Sequence, residues 1–426
     1  MPVSSRCDRR TSTALTNFFE HIASVGRARF LACALACALA LSGAAWTVPA
    51  FADVRKADVV YGQTVDARGL AVAQCPSIDA EYAMVMGADG TVYFERNAQS
   101  PTQIASITKI MTGVVALDAV EDGLLSLDSP VTVSAAAAAV GESSAGLQEG
   151  DVMNLDAALK ALLVPSGNDA AVALAEHLAG SESAFVERMN QRAHELGMED
   201  TNFLNCTGLP AAGHLTSAYD IALMSRALIG HAKIREYTTI WMDTIRDGQF
   251  QLANTNKLVR FYEGCTGLKT GSTDSALYCL SATAERDGME LIAVVMKSPT
   301  SAQRFESAKS LLNFGFANYT LLDIQPDAAI PPVEVSLGTL DQVQPILGQG
   351  SRILVDRNEL NEVTTDLRLT DNVEAPVEQG QKLGEMVVSV GGQERQVIPL
   401  VADQAVERLT LPGIFAKFVK QLFMAG

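Results

Sequence analysis

The chain has 426 residues, 49 of them acidic and 32 basic, and a formal net charge of −17. Residues 1–52 carry five basic and two acidic side chains, so the remaining 374 residues carry a net charge of about −20. A protein this acidic offers no broad basic surface, which excludes nucleic acid as a partner. The length beyond residue 52 is enough for two domains, the larger with a sizeable core.

The first 52 residues have the order of a secretory signal peptide. Arg27 and Arg29 precede an apolar run at 30–46, and the small-x-small sequence Ala50-Phe51-Ala52 follows it. A charged stretch, an apolar stretch and a small-residue cleavage site make up an export signal, in that order. We therefore predict export to the outer face of the cytoplasmic membrane, on the periplasmic or cell-wall side. Because the leader before the apolar run is unusually long, an uncleaved membrane anchor stays open as an alternative.

Four cysteines lie beyond the predicted signal peptide: Cys75, Cys206, Cys265 and Cys279. Outside the cytoplasm they could pair in three ways, and it is left open whether Cys265 and Cys279, which bracket one predicted strand, form a disulfide. The chain has no C-x-x-C and no H-E-x-x-H spacing, so we predict neither a metal site nor a cofactor. Three histidines are interpreted as ordinary helix or surface residues: His177, His194 and His231.

Strand-like and helical runs alternate between residues 80 and 320. The runs 83–86 and 91–95 flank a turn with Asp89-Gly90, and the runs 278–284 and 291–296 flank a turn with Asp287-Gly288. Such turns between strand-like runs are typical of hairpins. Further strands are predicted at 131–133, 250–252 and 265–270. Apolar spacing predicts helices at 155–164, 170–179, 182–196, 217–229 and 302–314, besides a helix that carries Ser106.

Hairpins at both ends with helices between them predict an α+β domain at 80–320, preceded by a segment at 53–79. Its antiparallel sheet would be assembled from distant segments and flanked by helices. The composition changes near 326–332, and short strands separated by turns such as Gly391-Gly392 follow. We predict a small all-β domain at 326–403.

The last segment, 404–426, is predicted to form an amphipathic tail. Between Val406 and Met424 apolar residues recur at four-residue spacing, and Lys417 and Lys420 take another face. A docked core helix would show the same pattern, but the terminal position, the aromatic face and the lysines favour a membrane interface. We predict that the tail associates with the membrane surface, since no stretch beyond residue 52 is apolar enough to span a bilayer.

Ser106 precedes Lys109 by three residues within an apolar run at 104–112. Residues three apart share one face of a helix, so the hydroxyl and the amine would meet. A serine hydroxyl becomes a nucleophile when a neighbouring base takes its proton, and a lysine can be that base only when its pKa is lowered. By itself, the spacing is more often just the exposed start of an amphipathic helix.

Two later triplets change that interpretation. Ser166-Gly167-Asn168 follows Pro165 and precedes a helix, where it would either cap the helix or present both side chains to a cleft. Lys269-Thr270-Gly271 ends a predicted strand, where the lysine and the hydroxyl could bind an anion and the glycine would let a ligand approach. Each triplet alone is weak evidence.

Ser-x-x-Lys, Ser-x-Asn and Lys-Thr-Gly, in this order, are the signature of the penicillin-interacting serine acyl-transferases. More narrowly, the chain resembles the serine-type D-alanyl-D-alanine carboxypeptidases, the low-molecular-mass penicillin-binding proteins. The resemblance also shows in the segments 166–170, 254–258, 267–271 and 375–380, and it runs from about Ala80 to the end. It implies a β-lactamase/transpeptidase-like domain, a C-terminal β domain and an amphipathic membrane tail.

The resemblance implies that Ser106 attacks the penultimate D-alanine of a peptidoglycan stem peptide and forms an acyl-enzyme, which water hydrolyses. Lys109 would accept the serine proton, Ser166 would pass a proton to the leaving amine, and Asn168 would orient the substrate amide and Lys109. β-Lactam antibiotics would be covalent inhibitors. No cofactor is implied.

The resemblance also implies how the substrate is bound. Lys269 and Thr270 would hold the terminal carboxylate, and the N–H groups of Ser106 and Ser272 would hold the oxyanion, with Gly271 between them. The charge of Lys269 would help to keep Lys109 neutral. Arg304 would also help to bind the carboxylate, with a surface helix cap as the alternative.

Two positions depart from the family pattern, and three rival functions remain. Ser272 stands where a larger aromatic residue or histidine is frequent, and Ala276-Leu277 replaces a usual Ala-Gly pair, so the activity level and the donor preference stay open. A β-lactamase would need a Glu-x-x-Leu-Asn segment, which is absent between residues 168 and 269. The other rivals are a transpeptidase or endopeptidase, and a β-lactam sensor or wall-binding protein.

Overall fold

The computed structural model of the protein describes residues 63–424 except 247, 327 and 349. The predicted signal peptide at 1–52 therefore lies outside the described residues. Within the described ranges, no helix combines the length and the apolar composition needed to cross a membrane.

Strands and helices alternate before residue 320 at the predicted places, with several short elements that the sequence did not reveal. The strands are β1 Tyr82–Gly87, β2 Val92–Arg96, β3 Thr102–Gln103, β4 Pro130–Thr132, β5 Val152–Asn154, β6 Leu215–Thr216, β7 Met242–Ile245, β8 Phe250–Ala253, β9 Cys265–Thr273, β10 Leu277–Arg286 and β11 Met289–Ser298. The helices are a 3-10 helix Ala105–Thr108, α1 Lys109–Glu121, α2 Ala135–Ala139, α3 Leu155–Leu163, α4 Asn168–Ala179, α5 Glu182–Glu195, α6 Ala218–Gly230, α7 Ile234–Thr238, α8 Leu258–Phe261 and α9 Ser301–Asn318.

One five-stranded antiparallel sheet forms the centre of this part of the chain, in the order β2-β1-β11-β10-β9. Tyr82 of β1 is paired with Met296 of β11, so the first and last hairpins of the domain lie side by side. In the second hairpin turn, Asp287 and Gly288 have φ angles of 51° and 75°, which a tight two-residue turn requires. The predicted sheet of distant segments is confirmed.

Alternate residues of the central strands face two different layers of helices. Met84 and Met86 of β1 pack with the apolar core around α1, whereas Ala83 and Val85 pack with the core that contains α9. Successive residues of a strand point to opposite faces of the sheet, so helices cover both faces. α1 is buried from Lys109 to Ala119, as expected of a helix enclosed by protein on all sides.

The sequence predicts that Ser106 lies on the same helix as Lys109. In the structure, Ser106 lies in the short 3-10 helix that precedes α1. α1 begins only at Lys109. The tighter turn still places Ser106 and Lys109 on the same side of the chain, because residues three apart are aligned in a 3-10 helix.

The small all-β part that the sequence predicts follows α9. Its strands are β12 Tyr319–Asp323, β13 Val333–Ser336, β14 Gln342–Val343, β15 Pro345–Leu347, β16 Arg352–Asp356, β17 Val363–Leu369, β18 Asn372–Glu374, β19 Lys382–Val390 and β20 Gln393–Ala402. The largest sheet has the order β15-β20-β19-β17. β12 begins just before the predicted boundary at 320 and pairs with β16 beyond it, so a strand connects the two parts.

The C-terminal helix α10 spans Leu411–Met424 and begins later than the predicted amphipathic segment. Val406 is buried and forms a β-bridge with Val377, so the residues before 410 belong to the β part. Near the start of α10, Leu411 and Phe415 are 83% and 70% exposed.

All four cysteines among the described residues are free thiols. Cys265 is paired with Ala284, and Cys279 with Gly271, in the β9–β10 ladder. The two cysteines therefore lie at opposite ends of the same pair of strands, about 17 Å apart at the usual rise per residue. Since a disulfide needs Cα atoms within about 7 Å, the bond that the sequence left open between them does not form.

Candidate active site

The chain turns sharply just before Ser106. Ala105 has a φ of 55°, which is unfavourable for a residue with a side chain and must be held by its surroundings. Gly208 supplies one such contact: a Cβ atom on this glycine would lie 2.0 Å from the Ala105 carbonyl oxygen and 2.8 Å from the Ser106 nitrogen. Only a glycine fits at this position, and its backbone packs directly against the Ala105–Ser106 peptide.

Lys109 is fully buried, and its side-chain nitrogen reaches three oxygen atoms. Nζ lies 2.6 Å from Asn168 Oδ1, 2.7 Å from the Thr207 carbonyl oxygen and 3.1 Å from Ser106 Oγ. The Asn168 amide has a fixed orientation, because its Nδ2 donates to the Gly141 carbonyl oxygen at 2.8 Å. Asn168 Oδ1 and the Thr207 oxygen can only accept, so a neutral Lys109 donates its two N–H groups to them and directs its lone pair at Ser106.

Burial lowers the pKa of Lys109 to about 7, although the nearby charges of Asp169 and Glu142 oppose this shift. The resemblance implies that the charge of Lys269 helps to keep Lys109 neutral, but the largest cause of the lowered Lys109 pKa is the loss of water around the amine. Repulsion between the cations acts on Lys269, whose pKa is lowered well below its usual value by burial and then by the charges of Lys109 and Arg304. A large share of Lys109 is therefore neutral near pH 7.

The triplet Ser166-Gly167-Asn168 forms the predicted turn between α3 and α4. Ser166 has a φ of 69° and is 3% exposed. Its hydroxyl has no hydrogen-bond partner among the described residues, which is unusual for a buried polar group and is often functional. α4 begins at Asn168, two residues earlier than predicted.

Asp169 fixes the loop 141–148 against the site. Its buried carboxylate accepts hydrogen bonds from the N–H groups of Ala145 and Leu147, at 2.9–3.1 Å, and from the Ser144 hydroxyl at 2.6 Å. The same loop supplies the Gly141 carbonyl oxygen that orients Asn168. Asp169 therefore holds one wall of the cleft in place.

Lys269, Thr270 and Gly271 lie in the middle of β9 and not at its end as predicted, because this edge strand continues to Thr273. Lys269 and Thr270 are buried, at 1% and 5% exposure. The Thr270 hydroxyl donates to Thr255 Oγ1 at 2.6 Å.

Gly271 faces the start of the 3-10 helix. A Cβ atom at this position would come within 3.0 Å of the Ser106 and Ile107 nitrogens, so the absence of a side chain lets β9 approach the serine backbone closely. Ser272, the next residue, is exposed. Its backbone is paired with Tyr278 on β10.

Arg304 is buried behind β9, so the alternative of a surface helix cap is wrong. The cap of α9 is Thr300, whose side chain accepts from the Gln303 N–H. Arg304 Nη1 donates to the carbonyl oxygens of Gly271 and Cys279, at 3.2 and 3.3 Å. Its Nε has no partner among the described residues. The guanidinium adds a positive charge on the Lys269 side of the cleft.

The sequence did not identify four residues that contact this site: Thr108, Thr207, His214 and Thr255. One signal was present for Thr207, in the sequence Asn205-Cys206-Thr207-Gly208. Asparagine favours turns in which its side chain caps the following N–H groups, and Asn205 Oδ1 does accept from Thr207 and Gly208. Thr255 lies in the segment 254–258 that carries part of the resemblance, but nothing in that segment indicates its bond to Thr270. His214 had no local signal, because its partner Thr108 lies 106 positions away.

The fold and the convergence of the three triplets define a penicillin-interacting serine acyl-transferase. Within the described ranges, no group of three or more His, Cys, Asp or Glu side chains is arranged to hold a metal ion. The chain belongs to the D-alanyl-D-alanine carboxypeptidase family, whose model matches residues 70–300. A second model, described as the C-terminal domain of penicillin-binding protein 5, matches residues 324–408.

Relatives and solved structures agree with this assignment. D-alanyl-D-alanine carboxypeptidase DacF of Bacillus subtilis is 35% identical over 336 residues, which cover 78% of this chain and 86% of the relative. DacC of Escherichia coli, with the same description, is 32% identical over 82% of this chain and 90% of its own. The crystal structure of penicillin-binding protein 5 from Haemophilus influenzae matches with a TM-score of 0.63 and 28% identity, over 79% of this chain and all of that one. The resemblance expected from the sequence is confirmed.

Proposed function

We propose that the protein is a serine carboxypeptidase that removes the terminal D-alanine from peptidoglycan stem peptides through an acyl-enzyme on Ser106. The observation that carries this proposal is the environment of Lys109, whose Nζ lies 3.1 Å from Ser106 Oγ and within 2.7 Å of two oxygens that can only accept. A neutral amine that donates to those two oxygens has its lone pair left for the Ser106 proton. The relatives support the substrate, since DacF and DacC are both described as D-alanyl-D-alanine carboxypeptidases.

In the first step, Ser106 Oγ attacks the carbonyl carbon of the penultimate D-alanine while Lys109 takes the hydroxyl proton. Negative charge develops on the carbonyl oxygen, and the backbone N–H groups of Ser106 and Ser272 stabilise it. The close approach of Gly271 to the Ser106 nitrogen supports this pairing of donors. Each donor of this kind is typically worth about 3 kcal/mol of transition-state stabilisation.

The terminal carboxylate of the substrate binds to Lys269 and Thr270, with Arg304 behind them. Burial and then the charges of Lys109 and Arg304 disfavour a proton on Lys269. A bound carboxylate reverses this balance, because an opposite charge nearby favours the charged ammonium. The site therefore selects peptides with a free C-terminal carboxylate, and the carboxylate of a β-lactam uses the same contacts.

The unpartnered Ser166 hydroxyl carries the proton from Lys109 to the departing amine. The peptide C–N bond breaks, free D-alanine leaves, and the acyl group remains on Ser106. Water then attacks the ester while Lys109 again accepts a proton. The bond between the acyl carbon and Ser106 Oγ breaks, Lys109 returns the proton to Ser106 Oγ, and the shortened peptide is released.

The test measures free D-alanine after the purified protein is incubated with a peptide ending in D-alanyl-D-alanine, with Ser106→Ala as the control. Fluorescent penicillin is used in parallel to count reactive serines. We expect release by the intact protein and neither release nor labelling by the variant. Labelling without any release would refute the carboxypeptidase and favour a β-lactam sensor.

Two further assays address the other rivals. Fast turnover of a chromogenic cephalosporin would indicate a β-lactamase. The nearest approach to the Glu-x-x-Leu-Asn segment of such an enzyme is the sequence at 187–190 on α5, where Glu187 is exposed and Asn190 is bonded to Phe203. Cleavage of cross-linked muropeptides in preference to linear peptides would indicate an endopeptidase. We expect linear peptides to be preferred.

We also propose that the protein is exported, with residues 1–52 as its signal peptide, and that α10 lies in the membrane interface. The exposed apolar side chains of Leu411 and Phe415 support a membrane role. The test is sedimentation with liposomes before and after deletion of residues 411–426, which spares the Val406–Val377 bridge. Equal sedimentation of both proteins would rule out a membrane role for the helix.

The predicted catalytic domain at 80–320 and the segment 53–79 before it are kept as a proposal. The β domain predicted at 326–403 is extended to 409, because the backbones of Val406 and Leu409 are hydrogen-bonded to Val377 and Leu337 within it. The family models, which match 70–300 and 324–408, support this division. Limited proteolysis should release fragments with ends near 320–332, and cleavage mainly elsewhere would contradict the boundary.

A further inference from the structure

We infer that His214 and Thr108 are positioning residues that hold the Ala105–Ser106 peptide in the orientation the reaction needs. This inference rests on the proposed function, in which the Ser106 N–H stabilises the oxyanion. Neither side chain bonds to Ser106 or Lys109 in the structure, so both act through the backbone.

The hydrogen bonds of this pair have only one consistent direction. The Leu204 N–H donates to His214 Nδ1 at 2.9 Å, so that nitrogen carries no proton. Nε2 then carries the proton of the neutral ring and donates it to Thr108 Oγ1 at 2.8 Å. The Thr108 hydroxyl in turn donates to the Ala105 carbonyl oxygen at 2.9 Å. Every group in this chain of bonds is satisfied.

Fixing the Ala105 carbonyl fixes the Ser106 N–H as well. The two groups belong to one planar peptide unit and point in opposite directions, so a rotation of the carbonyl moves the N–H by the same angle. Gly208 contacts this unit from one side, and Thr108 binds its oxygen. Because Ala105 has a φ of 55°, the peptide would tend to turn away from this strained geometry without such support.

The ring of His214 is suited to holding a position and not to transferring protons. The residue is 3% exposed, and burial lowers the pKa of its imidazole to about 4. The imidazole is therefore neutral at neutral pH, and the donor role of Nε2 does not change with moderate changes of pH. Phe203 packs edge-on against the ring at 5.9 Å between centroids, which further limits its rotation.

The main test compares Thr108→Val with Thr108→Ser. Valine keeps the shape of threonine without the hydroxyl, whereas serine keeps the hydroxyl and loses only the methyl group. With activity expressed per penicillin-reactive serine, which removes any loss of folded protein, we expect kcat to fall about tenfold or more in Thr108→Val with KM nearly unchanged. The kcat of the Thr108→Ser variant should fall far less.

A peptide boronic acid reports on the oxyanion site directly, since its tetrahedral adduct with serine places an oxygen there. Its affinity should fall in Thr108→Val by about the same factor as kcat, because both depend on the Ser106 N–H. If kcat, boronate affinity and the rate of penicillin acylation per site all stay at the wild-type level, the inference is wrong.

A double-mutant cycle separates this role from a general effect on folding. His214→Asn keeps an acceptor near the Leu204 N–H but removes the donor to Thr108. If the two residues act in series, the variant with both changes loses no more kcat than Thr108→Val alone, whereas independent effects would multiply. The rate of penicillin acylation is measured independently of D-alanine release. The positioning role can therefore be refuted even if D-alanine is released normally, and it can be supported even if no D-alanine is released.

Discussion

The catalytic part and the β part of the molecule bury different kinds of side chains. Before residue 320, the buried residues with acidic, lysine or arginine side chains among those described are Lys109, Asp118, Asp169, Arg192, Asp220, Lys269 and Arg304. In the described residues between 324 and 408, Asp356 is the one buried polar side chain, and it caps a turn by accepting from the Asn358 N–H.

This difference reflects the roles of the two parts: buried charged groups such as Lys109 serve the reaction in the catalytic part, whereas the β part needs only a stable core. Burying a charge is unfavourable unless it is paired or neutralised. In the catalytic part, the same burial leaves a large share of Lys109 unprotonated at neutral pH, so that it can accept a proton. The β part has no such requirement, and its core is almost entirely aliphatic. Substitutions in the two parts should therefore change different quantities.

The largest effect should come from Lys109→Met. Methionine matches the length of lysine and suits a buried position, but it cannot accept the proton of Ser106. We expect kcat/KM to fall about a thousandfold or more, with penicillin acylation reduced in parallel. Lys309→Met, on the surface of α9 and paired with Glu306, is the matched control and should retain full activity. An active Lys109→Met variant would remove Lys109 as the base.

The rate of acylation should depend on pH through the titration of the buried Lys109 amine. Because burial lowers the pKa of Lys109 to about 7, the neutral form that accepts a proton is lost as the pH falls below this value. The rate of penicillin acylation should decrease about tenfold for each pH unit below 7 and level off above it. A rate that is constant between pH 5 and 8 would contradict a lysine base.

The β part should respond in stability and not in catalysis. Leu400 is fully buried on β20, and Leu400→Ala removes apolar volume from an aliphatic core. We expect the free energy of unfolding of this part to fall by about 2–4 kcal/mol, while kcat for D-alanine release stays at the wild-type value. A loss of kcat in the folded variant would mean that the two parts are coupled in catalysis.

Much of the fold could be predicted because its signals are local. Hairpin turns such as Asp287-Gly288, the proline that ends α3 and the glycines that follow α4 and α5 each act on their own neighbours. The 3-10 turn at Ser106 was missed because Ala105 adopts a positive φ that only distant contacts, such as Gly208, can hold. The end of β9 was misplaced for a related reason, since its length is set by pairing with β10.

The site divides in the same way. The triplets at Ser106, Ser166 and Lys269 could be found because their spacing within each triplet is characteristic. The residues that contact these triplets could not be predicted. Thr207 contributes a backbone carbonyl 98 positions from Lys109, and His214 lies 106 positions from Thr108. Burial also decides the pKa of Lys109, and the degree of burial is a property of the packed structure that no short motif contains.

The smallest effect should come from reducing or replacing the cysteines. The result tests whether a disulfide stabilises the catalytic part. Cys265 and Cys279 are separated by five positions along the β9–β10 ladder, so they cannot form a disulfide without moving the strand that carries Lys269. We expect reductant, or Cys265→Ser, to change Tm by no more than about 1 °C and to leave kcat unchanged, as is usual for changes that remove no major contact. A Tm that falls clearly in reductant would show that a cross-link contributes to stability. Without one, the catalytic part must offset its buried charges through ion pairs and hydrogen bonds, such as those of Arg192 with Asp118 and of Asp169 with the Ala145 and Leu147 N–H groups, together with apolar packing.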